Sequence, residues 1–162
     1  MKPTARIALL SLICSLTSLA QTSPSQPSNV PSENYSGMYT FLQEGEFLQI
    51  TVEDAGRVTG FVSRYGDGES DRGVFLDQFF KDGKLDGRNL TFTTHTVHAV
   101  WFEFKGAFER GEGKARGDEA YYLLKGTLIE CRTDAEKKTS SKSRQVMFKS
   151  FPQDLETPPQ RD

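Results

Sequence analysis

The two histidines are the first residues of this sequence that could hold a metal ion. His95 and His98 are three positions apart in a stretch that reads as a β-strand, so an unbroken strand would send their side chains to opposite faces. A tetrahedral metal site needs three or four ligands that converge on one point. The sequence therefore predicts no metal site and no cofactor. We expect one histidine in a loop and His98 hydrogen-bonded at the rim of the fold.

An acidic segment, Asp67–Asp71, has carboxylates at alternate positions, as does the first half of a calcium-binding loop. Arg72 stands where such a loop needs its glycine, and Gln78 stands where it needs a bidentate glutamate. The match fails at two geometric points. A mobile, solvated loop between strands is the favoured interpretation.

Nucleophilic or acid–base catalysis has little support in the sequence. No histidine lies near Cys131, and no G-x-S-x-G elbow occurs. Several carboxylates could meet across strands, but they fall at outward or loop positions, where the usual role is pairing with a cross-strand lysine. These carboxylates are Glu103, Asp118, Glu119 and Glu130. We expect a protein that is not an enzyme.

The N-terminal segment has the pattern of a secretory signal peptide. Lys2 and Arg6 precede an apolar run over 7–19, and the pattern predicts cleavage after Ala20. The run is shorter than the roughly 20 residues that span a bilayer. Cys14 invites a lipoprotein alternative but lacks the small preceding residue that lipidation requires. We expect export to the periplasm or the extracellular space, and no integral membrane protein.

Charge and composition limit the remaining functional classes and the domain organisation. Without Lys2 and Arg6, 18 basic residues stand against 22 acidic ones, a formal charge of −4, and no basic cluster indicates nucleic-acid binding. Only Cys131 would remain after cleavage, so no internal disulfide is expected. The composition predicts a flexible Ser/Pro/Gln-rich tether over 21–33, one domain over 34–151 and a frayed tail over 152–162.

Alternation of apolar and polar residues predicts the strands. The clearest runs from Thr96 to Phe108 around Gly106, and the turn at 54–56 predicts a tight hairpin between its flanking strands. The segment 75–80 fits helical spacing, whereas Asp82-Gly83 is typical of a two-residue hairpin. We expect a short helix or a distorted strand there, and polar loops over 109–119 and 134–143.

Glycines on the apolar side of four strands favour a closed sheet. A glycine within a strand is unfavourable by itself, so four at core-facing positions require a geometric reason, and tight coiling of the sheet supplies one. Edge bulges of a β-sandwich are the alternative. The sequence predicts an all-β fold: an antiparallel up-and-down meander that closes into a small barrel of about eight strands, with at most one short helix. The glycines are Gly37, Gly60, Gly106 and Gly126.

The segment Ser36-Gly37-Met38-Tyr39 resembles the G-x-W opening of the lipocalins and avidins, the calycin group of small barrels. Chain length and hairpin order resemble that group too. The resemblance implies an eight-stranded barrel that binds a small ligand in its mouth. Tyr39 stands where the tryptophan of the motif would be, and no binding residue can be carried over.

Two kinds of binding surface follow from these expectations. The inner face is apolar and bulky, so a filled core and a cavity for one small apolar or amphipathic ligand both remain open. We expect polar residues near the mouth at Tyr39, Arg64, His98 and Tyr122. The alternative function is an envelope interaction or structural module, monomeric or weakly dimeric, that binds a protein partner through outward-facing residues. These residues are Phe47, Trp101 and Tyr121.

Overall fold

The computed structural model describes residues 33–153, and the predicted signal peptide, most of the tether and most of the tail lie outside the described residues. Within 33–153 the chain forms eight strands and one 3-10 turn, Asp54–Gly56, and no helix is long and apolar enough to cross a membrane. The strands are β1 (Gly37–Thr40), β2 (Phe47–Val52), β3 (Val58–Tyr65), β4 (Phe75–Asp86), β5 (Asn89–Thr94), β6 (Val100–Arg110), β7 (Tyr122–Thr133) and β8 (Thr139–Lys149).

The strands form one antiparallel sheet in the order of the chain. The sheet curls until β1 meets the end of β8, where Tyr39 and Ser150 form an antiparallel bridge. Two further bonds join this seam: the Phe151 N–H donates to the Met38 carbonyl over 2.8 Å, and the Lys149 N–H donates to the Thr40 hydroxyl over 2.9 Å. The predicted all-β meander and its closure into a barrel are confirmed.

Because every strand reverses direction, the connections gather at two ends. We call one the mouth end, and it carries the connections 41–46, 66–74, 95–99 and 134–138. We call the other the tyrosine end, which carries the connections 53–57, 87–88 and 111–121 together with the flanking segments 33–36 and 150–153. The predicted tight hairpin at 54–56 joins β2 to β3 at the tyrosine end.

Strand β4 decides between the two alternatives that the sequence left open, a short helix and a distorted strand, in favour of the distorted strand. It is one continuous strand, and its helix-like spacing arises because Phe75 and Phe79 point outwards while Leu76 and Phe80 alternate with them on the inner side. A bulge at Lys81 then shifts the register, so that the Asp82-Gly83 pair continues the strand instead of forming a hairpin turn. The turn falls at 87–88, after Asp86 has paired with Asn89.

Strand β6 begins later than the alternating pattern predicts. His98 and Ala99 have φ values of 48° and 63°, in the left-handed region that interrupts a strand, so β6 starts at Val100 and not at Thr96. His98 therefore belongs to a connecting loop and not to the inner face of β6. From Val100 onwards the predicted alternation holds, with Phe102, Phe104 and Phe108 buried.

The predicted polar loop over 134–143 is also too long. Strand β8 begins at Thr139, which pairs with Thr133, and the connection is the short turn 134–138. The Asp134 carboxylate accepts the Lys138 N–H over 2.8 Å and closes this turn. Polar side chains on an exposed hairpin carry no burial signal, which explains why the sequence indicated a loop.

The interior is packed with rings, and two glycines make room for one of them. Gly106 and Gly126 are directly opposed on β6 and β7, and a Cβ on either would collide with the Phe104 ring or the opposing backbone. The Phe104 ring in turn neighbours Phe92 at 5.2 Å and Phe148 at 5.9 Å between centroids. Close backbone approach under a large side chain is therefore the specific reason for this glycine pair.

Candidate ligand site at the mouth of the barrel

The mouth end holds a pocket of about 170 Å³ that is lined by residues of β3, β6, β7 and β8 and of the connections 41–46 and 66–74. Phe41, Val100 and Phe102 form its apolar wall, and Leu42 lies at its edge. These residues are on the inward parity of the sheet, where the sequence pattern placed them. The pocket is smaller than the roughly 300–1,000 Å³ typical of sites for drug-sized ligands.

Arg64, the last inward residue of β3, enters this pocket while remaining only 6% exposed. Its Nε donates to the Gln78 Oε1 over 2.5 Å, and its Nη1 donates to the Tyr65 carbonyl over 3.0 Å. The guanidinium carbon lies 5.9 Å from the centroid of the Phe102 ring. The Nη2 group is buried and has no hydrogen-bond partner among the described residues.

Gln78 holds Arg64 in this position. It is fully buried on the inner side of β4, and its Nε2 donates to the Val100 carbonyl over 2.8 Å and to the His95 carbonyl over 3.3 Å. Its amide orientation follows from these two acceptors. Sequence reasoning noticed Gln78 only as a missing calcium ligand; its inward parity within β4 was the signal that could have revealed it.

Burial affects the electrostatics of Arg64. Removal from water lowers the pKa of its guanidinium from the ordinary value, while Asp67 acts in the opposite direction. That carboxylate is 56% exposed, and its oxygen lies 3.9 Å from the Arg64 Nη1, at the outer limit of an ion pair. Arg64 stays protonated at neutral pH because an arginine is almost never deprotonated in a protein. Its charge is buried and only weakly compensated.

The other charges at the pocket are better satisfied. The buried Glu46 accepts the Gln43 N–H over 3.1 Å and the Tyr65 N–H over 3.0 Å, one on each carboxylate oxygen. Asp67 pairs with Arg132. These contacts tie the 41–46 and 66–74 connections to the rim of the barrel.

Glu130 and Arg144 complete the rim. Arg144 donates to Glu130 over 2.5 Å through its Nη2, and Glu130 also lies 3.6 Å from Arg132. The Arg144 Nε is buried without a partner among the described residues. The pocket is thus lined by two guanidinium groups that each retain an unused N–H donor.

His98 and Asp71 form a separate contact at the mouth end. The Asp71 carboxylate bonds to the Nδ1 of His98, and this bond lowers the pKa of Asp71 below its ordinary value. Asp71 is buried, so the expectation of a mobile, solvated acidic loop is wrong at this residue. In the described part of the chain, no three of His, Cys, Asp and Glu gather as a metal site requires.

The four predicted mouth residues lie at two ends of the barrel. Arg64 and His98 are at the mouth end, whereas Tyr39 and Tyr122 face the tyrosine end. The Tyr39 hydroxyl donates to the Tyr35 carbonyl over 2.8 Å, and the Tyr122 ring meets the Tyr35 ring edge-on at 4.9 Å. Parity placed these side chains inside correctly but could not assign them to an end.

The three predicted partner-face residues are not neighbours either. Trp101 lies on β6 opposite Cys131, and burial raises the pKa of the Cys131 thiol. Tyr121 is at the tyrosine end, where the Arg110 guanidinium lies 3.3 Å from its ring centroid. Phe47 lies on β2, which three strands separate from β6 in the sheet order. It contributes instead to an aromatic ladder on the outer face of β2 to β4.

This outer aromatic ladder runs across three strands. Its ring centroids are 5.8 Å apart between Phe47 and Phe61 and 5.4 Å apart between Phe61 and Phe79. Beside them the rings of Tyr65 and Phe75 are 4.4 Å apart and tilted by 32°. Phe79 is 58% exposed. The sequence did not predict the ladder, because it left open whether Phe75 and Phe79 lie on a short helix or on a distorted strand.

A larger cleft of about 640 Å³ lies over β4 to β7, largely on the outer side of the sheet. Its polar lining consists mainly of threonines and of Lys84, Glu103 and Lys105. None of the buried, unpartnered polar groups of the described residues lines it. The mouth pocket is therefore the better candidate site despite its smaller volume.

The meander order and the eight strands define a small antiparallel barrel with the fold of the avidins. Apo afifavidin superposes with a TM-score of 0.54 at 14% identity, over 78% of this chain and 88% of that one. Rhizavidin gives 0.52 at 13%, over 72% and 82%. The rhizavidin–biotin complex gives 0.51 at 13%, over 73% and 92%.

At these identities the similarity establishes the fold, and the resemblance to the calycin barrels is confirmed at that level. No family model and no curated protein matches the chain by sequence. Functional statements about this chain therefore depend on its own residues.

Proposed function

We propose that this protein is an exported, non-enzymatic barrel that binds a small amphipathic molecule at its mouth end. The observation that carries the proposal is the mouth pocket itself: an apolar wall with Phe41 and Phe102, beside a buried Arg64 that keeps an unused donor. An apolar pocket with a few convergent polar groups is the usual form of a small-molecule site. Rhizavidin, which shares the fold, has been solved in complex with biotin.

The rest of the interior argues for a ligand at the mouth and against one deep inside. At the tyrosine end, the Tyr35 ring stacks on Phe108 at 4.2 Å, and Tyr39 packs against Phe108 at 5.7 Å. Side chains of the protein therefore occupy this half of the barrel. The ligand is small, or it inserts only one part into the pocket.

Chemical-shift mapping tests the proposal directly. Titration of ¹⁵N-labelled protein with small aromatic amphiphiles is expected to perturb the amides of Arg64, Tyr65 and Phe102. Leu42→Trp, at the edge of the pocket, should abolish these perturbations, whereas Met147→Trp on the exposed outer face should leave them. Perturbations confined to the tyrosine end would contradict a mouth site.

Export is the second element of the proposal. The charged start, the apolar run over 7–19 and the small residue at Ala20 support it. Expression of the full chain in a bacterial host with N-terminal sequencing of the purified product is expected to give Gln21 as the first residue. A product that begins at Met1 in the cytosolic fraction would contradict export.

The alternative is an interaction module, and the outer aromatic ladder favours it. Exposed apolar patches on soluble proteins often mark interfaces. Native mass spectrometry of protein purified from its own envelope discriminates the two functions. A copurified small molecule supports ligand binding, and a ligand-free complex with a protein or with a second copy supports the interaction module.

A further inference from the structure

Two residues that line the mouth pocket each carry a buried N–H donor without a partner among the described residues: Arg64 at Nη2 and Arg144 at Nε. A buried donor that loses its bond to water and gains no other is unfavourable, and more so when the group is charged. The unpartnered buried acceptor of the described residues, the Asp71 Oδ1, is not among the lining groups. A ligand that carries a hydrogen-bond acceptor would therefore complement the unpaired donors of the pocket residues.

We propose that the ligand of the mouth pocket carries an anionic group, a carboxylate or a group of the same geometry, bound by the Nη2 of Arg64 and supported by Arg144. This inference rests on the proposed function, because it names the chemical class of the ligand for the same site. The apolar part of the ligand lies against Phe41 and Phe102.

The distribution of charge favours an anion over a neutral acceptor. Three arginines and three carboxylates line the pocket. Each carboxylate is already engaged: Glu46 by two backbone N–H groups, Asp67 by Arg132, and Glu130 by Arg144. The cation of Arg64 has one carboxylate within ion-pair distance, the shared Asp67 at 3.9 Å, while Glu130 and Asp71 act on it from farther away. A ligand anion would supply the missing compensation.

Arg64 is also held ready for such a ligand. Its Nε and Nη1 are fixed by Gln78 and by the Tyr65 carbonyl, so the remaining Nη2 keeps one direction. A guanidinium held in this way loses little side-chain freedom when it binds a carboxylate. The neighbouring ring of Phe102 excludes water on one side and strengthens a charged hydrogen bond at this point.

Benzoate and benzamide are suitable probes, because they have the same ring and carbonyl group but differ in charge. Dissociation constants would be measured by NMR titration of the full chain and of two variants. Arg64→Gln removes the proposed anion-binding charge, and Arg88→Gln removes an exposed charge at the tyrosine end as the matched control. We expect wild type and Arg88→Gln to bind benzoate more tightly than benzamide, and Arg64→Gln to bind benzoate about tenfold to hundredfold more weakly.

The outcomes distinguish the anion inference from the proposed ligand site. Equal binding of both probes at the mouth, unchanged in Arg64→Gln, overturns the anion inference and leaves the proposed ligand site standing. If neither probe binds, the result counts against both the proposed ligand site and the anion inference. If Arg64→Gln does not fold, wild type alone decides: benzoate must bind more tightly than benzamide and shift the amides of Tyr65 and Phe102.

Discussion

The two ends of the barrel solve the same packing problem in different ways. At the tyrosine end, Tyr35 enters from the segment before β1 and stacks on Phe108, so that the chain fills its own barrel. At the mouth end, Arg64 and Gln78 occupy inward positions that would otherwise hold apolar residues, and two buried donors stay unpaired. One end is satisfied by its own residues, and the other is not.

Under the proposed function, this difference separates an end that serves stability from an end that serves binding. Buried polar groups without partners reduce stability, and in natural proteins they concentrate at functional sites. The tyrosine end has hydroxyl groups as well, but the Tyr39 hydroxyl has its acceptor and burial raises the pKa of Tyr39, so the ring remains neutral. Substitutions at the two ends should therefore have different consequences.

The largest effect is expected at the tyrosine end. Phe108→Ala removes a fully buried ring that contacts Tyr35 and Tyr39, and it should reduce the free energy of unfolding by about 3–5 kcal/mol. Urea unfolding monitored by circular dichroism measures the loss. Trp101→Ala, on the outward side of β6, is the control and should cost much less. Equal losses at both positions would show that the assignment of inner and outer faces is wrong.

Most of this architecture could be predicted from sequence, because burial of one face imposes an alternating pattern on each strand. The pattern identified the inner residues of β6 and β7, including the opposed Gly106 and Gly126. It failed where local geometry breaks the alternation. The bulge at Lys81 and the left-handed backbone of His98 and Ala99 leave no periodic trace.

The candidate site was less predictable than the fold. Arg64 was expected at the mouth and lies there, but Tyr39 and Tyr122 lie at the opposite end, because parity assigns a face and not a height along the barrel. The inward position of Gln78 could not be predicted while the segment 75–80 remained either a short helix or a distorted strand. A polar residue at an inward position becomes visible only after the strand register is known.

A moderate effect is expected for the apo protein when the mouth-end charge is removed. Arg64→Met leaves the Gln78 Oε1 without its donor, which costs about 1–3 kcal/mol, but it also removes a weakly compensated buried charge. We expect the free energy of unfolding to stay within about 2 kcal/mol of wild type. Urea unfolding beside the exposed-site variant Arg88→Met measures it. A loss as large as that of Phe108→Ala would show that the main role of Arg64 is to stabilise the fold.

A pH-dependent effect is expected at Asp71. Its bond to His98 lowers the pKa of the carboxylate in the folded protein, so the unfolded chain binds the proton more readily. The contact therefore contributes fully to the free energy of unfolding above the unfolded pKa of about 4. The contribution disappears as the pH falls through the folded pKa. Thermal unfolding between pH 7 and pH 3 should show a smaller acid destabilisation in Asp71→Asn than in wild type. Asp77→Asn, at an exposed position on β4, should retain the wild-type slope.

The smallest effect is expected on the outer aromatic ladder, and it separates the two candidate functions. Phe79→Ser removes an exposed ring that contacts Phe61, so it should cost less than about 1 kcal/mol, whereas Phe80→Ser removes the inward ring stacked on Phe92 at 4.4 Å and should cost far more. Thermal unfolding at several protein concentrations makes the comparison. If the ladder is a free surface, the melting temperature of wild type is independent of concentration and Phe79→Ser changes little. If wild type melts higher at high concentration and Phe79→Ser abolishes that dependence, the ladder joins two copies of the chain and the mouth end is then one of two binding surfaces.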